Sequence, residues 1–206
     1  QTGGAGTGDR CRLQINLEAQ DIANSGWNYK SSSSFITLSF WVKSSVAQNF
    51  YGFIRTPDGT SQGYSFETGS LSADTWTKVT KTIPGNSNLT FNNDNGEGLE
   101  ITWEIFRGTD QTGTRPLNAW AEADNNTRTP NQTSTWYITN DATFEITGVQ
   151  LEVGSQATAF EQRSFGEELA LCYRYYELIA ERDEGSNAKE NNIGLFWGDG
   201  TTSFTQ

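Results

Sequence analysis

One change of phase in residues 143–153 constrains this chain more than any other feature of its sequence. Phe144 and Ile146 alternate with polar neighbours, and the series resumes at Val149, Leu151 and Val153 one residue out of step, with Gly148 between the two runs. Side chains on a strand alternate between faces, so a slip of one residue turns every later side chain the wrong way unless an extra residue is absorbed. A glycine at the slip is what a β-bulge uses. The stretch therefore reads as one long bulged strand with a single buried face, and a chain built on such strands must find a second apolar layer to cover them.

The same two-residue period recurs. Leu13, Ile15 and Leu17 alternate with polar residues, as do Ile36, Leu38, Phe40 and Val42, and then Leu99, Ile101, Trp103 and Ile105. Residues 50–55 and 63–67 flank Pro57-Asp58-Gly59, the chemistry of a hairpin turn. Residues 76–83 form a further strand stopped by Pro84-Gly85, and residues 136–139 another. Residues 110–133, rich in Thr, Asn and Pro without a sustained period, read as a long loop with a short turn of helix around residues 117–123. About eight strands in two antiparallel sheets make an all-β jelly-roll sandwich.

Past the bulged strand the pattern changes. Ser164 and Glu167 form a capping box that opens a helix over residues 165–180. Phe165, Leu169, Cys172, Tyr176 and Ile179 step by four and three, while Leu171, Tyr175 and Leu178 lie on a neighbouring face. One stripe suffices to dock a helix; the second predicts a subunit contact through Leu169, Cys172, Tyr176 and Ile179, the competing account being that the terminal hairpin over residues 193–204 folds back over it within one chain. Polar residues 183–192 lead to a hairpin over residues 193–204, centred on Gly198-Asp199-Gly200. The organisation expected is a flexible Gly-rich leader (1–11), the sandwich (12–162), the helix (163–182), and a linker with the terminal hairpin (183–206). Gln1 rather than Met at the start reads as a beginning inside a longer polypeptide or as a trimmed chain.

Charge and composition narrow the function. A net charge of -11 repels phosphate backbones and anionic lipid, which argues against nucleic-acid and membrane partners. No apolar run approaches the ~20 residues of a spanning helix. Two cysteines, Cys11 in the leader and Cys172 as a small buried hydrophobe on the helix, give no disulfide framework and fit a reducing compartment of assembly. With no histidine, Ser-His and Cys-His nucleophile pairs and the commonest zinc ligand are all excluded. Paired carboxylates would survive that loss. Glu100 and Glu104 share a strand face, but at i and i+4 they stand about 13 Å apart by strand rise, beyond the reach of either glycosidase mechanism. Catalysis is therefore not expected.

The turn Asn92-Asn93-Asp94-Asn95-Gly96-Glu97 lacks the acidic spacing of an EF-hand loop, so no cofactor is expected. Asp94 and Glu97 are the residues a structural calcium would use. The seven tryptophans carry more promise, because an indole face stacks on the C–H groups of a sugar. Trp103 falls in phase with the apolar stripe and belongs to the core. Trp41 is out of phase with Phe40 and Val42, and Trp27 and Trp120 lie in polar loops, so these three are the candidate glycan-binding residues.

The run from Ile146, ITGVQLEVGSQATAFEQRSFGEELALCYRYYE, resembles the end of the jelly-roll, carbohydrate-binding-module-like domain of tailed-phage tail-fibre and receptor-binding proteins. ITLSFWVKSS from Ile36 and NDNGEGLEITWEI from Asn93 are similar to inner strands of the same family. The resemblance implies a virion surface protein, assembled in the host cytoplasm as a homotrimer with other virion proteins, that contributes to attachment to a host-cell glycan. A purely structural decoration or connector domain is the alternative, and a polysaccharide depolymerase the second.

Overall fold

The computed structural model describes residues 4–173, and two compact units divide the chain at residues 160 and 161. In the first unit the strands are β1 (Arg10–Glu18), β2 (Phe35–Ser44), β3 (Asn49–Thr56), β4 (Gln62–Ser70), β5 (Thr77–Pro84), β6 (Glu97–Arg107), β7 (Trp120–Glu122) and β8 (Phe144–Val153). Short helices α1 (Ala19–Ala23) and α2 (Thr135–Ile138) interrupt them. Two antiparallel sheets result, one of five strands in the order β1-β6-β3-β4-β7 and one of three in the order β5-β2-β8. The chain passes back and forth between them, giving the all-β sandwich that the alternating pattern demands.

The inward residues are those the period selects. From β2, Ile36, Leu38, Phe40 and Val42 face Ile54, Tyr64, Phe66, Leu99, Ile101 and Trp103 of the larger sheet, all buried. Trp103 meets Phe40 edge to face at 5.5 Å. Gly52 makes room for Phe66, whose ring would lie 2.0 Å from a Cβ at that position. Burying each such aromatic or aliphatic side chain stabilises the fold by roughly 1.5–3 kcal/mol.

The bulge lies at the expected glycine. Ser39 pairs with Gln150 and Trp41 with Thr147, so two residues of β8 stand opposite Phe40, and Gly148 takes φ +59. In the second unit, α3 (Phe165–Cys172) starts on the capping box: the Ser164 hydroxyl accepts from the Glu167 amide, and the Glu167 carboxylate accepts from the Ser164 amide.

Several expectations are corrected. Residues 136–139 are not a strand: α2 forms there because Trp136 tucks against Phe50 and Phe144 while Tyr137 stacks on Phe106, and one helical turn serves both contacts. Residues 117–123 hold a strand, not a turn of helix, because the free edge of β4 recruits Trp120–Glu122 as β7. Cys11 belongs to β1 and is half-buried, and burial pushes its thiol pKa up. Cys172 is exposed, like the other side chains of α3, none of which is buried among the described residues. Tyr176, Ile179 and the hairpin expected over residues 193–204 lie outside the described residues.

Candidate functional site

A polar cleft opens beside β7. Pairing of Tyr64 with Trp120 and of Gln62 with Glu122 sets β7 against β4 and stands the Trp120 indole at the cleft wall. Its Nε1 donates to the Pro84 carbonyl at 2.7 Å, and its ring rests on buried Tyr64 at 5.2 Å. The ring is thus held by a hydrogen bond at one end and packing on one side. Around it stand Lys30, Gln62, Asn88, Thr90 and Glu122, bordering an open cleft of about 420 Å³. That volume falls in the range of about 300 to 1,000 Å³ usual for small-molecule sites.

The chemistry is mixed by design of the loops. Lys30 reaches the Ser87 carbonyl at 3.4 Å, a long bond that leaves its other donors for a ligand. Glu122 offers carboxylate acceptors from an exposed position. Gln62 is buried and its amide donates to the Thr60 and Ser61 carbonyls, shaping the floor. An aromatic plate among ammonium, amide, hydroxyl and carboxylate groups matches a ligand with an apolar face and a hydroxylated rim.

The three candidate tryptophans do not share a site. Trp120 lines the cleft. Trp27 is 3% exposed, packed with Tyr29 and Phe91 in the core, so its ring is closed to a ligand; its polar surroundings in sequence concealed an apolar pocket formed by distant residues. Trp41 is 41% exposed on the outer face of β2, away from the cleft.

The acidic candidates are engaged by partners within the chain. Asp94 accepts from the Gly96 amide and shapes the turn, while Glu97 pairs with Arg55 at 2.8 Å and accepts from Asn16. Among the described residues no group of three or more His, Cys, Asp and Glu side chains could hold a metal ion. Glu100 and Glu104 are closer than strand rise suggests, since one Arg128 nitrogen lies 2.6 Å from Glu100 and 3.9 Å from Glu104. Both side chains lean toward that guanidinium. Arg55 also binds Glu100, and Arg107 binds Glu104 at 2.7 Å, so Arg55, Arg107 and Arg128 face Glu97, Glu100 and Glu104 three against three.

This network lies on the outer face of the larger sheet, beneath the long loop. The Ser65 hydroxyl donates to the Arg128 carbonyl at 2.6 Å, the Asn118 amide to the Ser65 carbonyl at 2.7 Å, and Arg115 and Arg128 both lie over the Phe53 ring. Burial alone would push the Glu100 carboxyl up, but Arg128 and Arg55 override it and hold its pKa below the ordinary value. With Glu100 at 2% and Glu104 at 0% exposure, the pair is sealed from any substrate. Comparison with protein-family models, curated proteins and solved structures finds no match to this chain.

Proposed function

We propose that this chain is a non-catalytic carbohydrate-binding domain of a tailed-phage fibre or receptor-binding protein. In this reading it acts on the virion surface as a homotrimer and contributes to host attachment. The observation that carries the binding half is the fixed Trp120 ring at the wall of a polar cleft with Lys30, Asn88 and Glu122. A sugar ring stacks its C–H face on the indole, and its hydroxyls exchange bonds with the ammonium, amide and carboxylate groups. The virion setting rests on the resemblance of the strand and helix motifs around residues 146–176.

A spacer domain is the competing reading, and the sealed charge network favours it in one respect, since a sheet face closed by a loop adds rigidity and offers no ligand. Screening the intact chain on an array of bacterial surface glycans, with competition for phage adsorption to host cells, separates the two. Lys30→Ala and Asn88→Ala, both at exposed positions, should weaken binding at unchanged melting temperature. A chain that binds nothing and blocks nothing is a spacer.

A further inference from the structure

A second aromatic surface lies on the outer face of the smaller sheet. Trp41 and Lys43 project outward from β2, opposite Lys78 of β5 and opposite Thr147 and Glu145 of β8. Trp76, just before β5, lies on the same face, with Lys43 Nζ 5.2 Å from its ring centroid. Both indoles are 41% exposed, and Phe160, 51% exposed, lies near Trp41 at Gly148.

The bulge is what seats Trp41 on this surface. A Cβ at Gly148 would stand 3.3 Å from Trp41 Cδ1, so the missing side chain gives the indole its seat across β8. The interleaving of charges decides what kind of ligand fits. Protein interface cores are depleted of charged residues, whereas here Lys43, paired to Glu145 at 2.8 Å, and Lys78 stand between and beside the rings. Apolar ring faces bordered by ammonium, carboxylate and hydroxyl groups suit a hydroxylated chain with apolar C–H faces.

We infer that Trp41 and Trp76 form a second carbohydrate-binding surface, a flat platform for an extended polysaccharide, separate from the cleft at Trp120. The inference shares the sugar chemistry of the proposed function but rests on a different face. The cleft lies at the Pro84 end of the smaller sheet, where Pro84 pairs with Phe35. Trp41 is six residues farther along β2, about 20 Å by strand rise. Two sites at that spacing raise the affinity for long chains over short ones without any new contact.

Affinity electrophoresis tests this in gels cast with dextran, mixed-linkage β-glucan, galactomannan or purified bacterial O-polysaccharide. The parent chain should be retarded by at least one of them. Trp41→Ala with Trp76→Ala should lose that retardation at least tenfold with melting temperature and sedimentation unchanged, while Trp41→Tyr with Trp76→Tyr keeps most of it. Lys30→Ala with Asn88→Ala should weaken binding of short oligosaccharides yet leave a measurable retardation. A platform variant retarded like the parent overturns the second surface and leaves the cleft reading standing. A parent retarded by none of the polysaccharides overturns the platform as well. A platform variant that changes sedimentation makes the face a contact between chains and also overturns it.

Discussion

Glu100 illustrates how one buried residue sets the stability of a whole sheet face. Its carboxylate is desolvated, yet Arg128 and Arg55 hold its pKa below the ordinary value. A group depressed in the folded state contributes stability above its unfolded pKa, near 4.3, and loses that contribution as pH falls through the folded value. Urea titrations should therefore show little dependence on this group between about pH 5 and 7 and a decline in acid. Glu100→Gln should flatten the decline; an equally steep one would remove Glu100 from the account. Arg128→Ala leaves Glu100 with Arg55 alone and should cost about 1.5–3 kcal/mol, the worth of a charge-assisted hydrogen bond. None of this was legible in the sequence. Spacing along β6 identified the two glutamates and even their common face, but their partners Arg55, Arg107 and Arg128 come from separate segments, and no local period marks them. Trp103, by contrast, was legible because it falls in phase with Leu99, Ile101 and Ile105, and it lies 4% exposed in the core. Trp103→Ala should lower stability by about 3 to 5 kcal/mol in denaturant titration. Trp120 is half-buried with its N–H bonded, so its truncation tests stability along with binding, which is why the exposed Lys30 and Asn88 are the cleaner probes.

At the scale of elements, the bulge in β8 couples the fold to the outer aromatic face. Gly148→Ala places a side chain at φ +59, against Trp41, and such backbone strain costs of order 1–3 kcal/mol. Thermal melting should fall accordingly, and Trp41 fluorescence should shift as the indole is lifted, read in a background where the other tryptophans are unchanged. A variant as stable as its parent would mean the strand absorbs the change by losing the bulge. Long strands with a clear period, β2, β6 and β8, were readable because burial on one face imposes the alternation directly. The short elements were not. The three residues of β7 form because an edge strand needs backbone partners, and α2 forms to place two aromatics against different neighbours. Both are consequences of tertiary contacts that propensity does not encode.

At the scale of the molecule, the two sheets are unequal, and apolar residues remain uncovered. Leu13 and Ile15 pair with Trp103 and Ile101, yet each is 41% exposed, because the three-stranded sheet is narrower than the sheet it covers. In the second unit, Phe165, Leu169, Leu171 and Tyr173 of the helical segment are all exposed. Phe165, Leu169 and Leu171 on α3, with Tyr173 at its cap, form a surface that water disfavours, and burial against other copies would remove it. Spacings of four and two along α3 spread these residues over more than one face, which a partner on each side covers better than a single docking contact. A partner is what the exposed apolar residues of α3 lead us to propose, and the number three is what the resemblance of residues 146–176 implies. Sedimentation equilibrium of the intact chain should give a trimer, and Leu169→Glu with Leu171→Glu should shift it toward monomer while the melting of the sandwich is retained. A monomeric parent would discard the subunit contact, and a variant that stays trimeric would move the interface elsewhere, with the exposed Leu13 and Ile15 of β1 the next positions to charge.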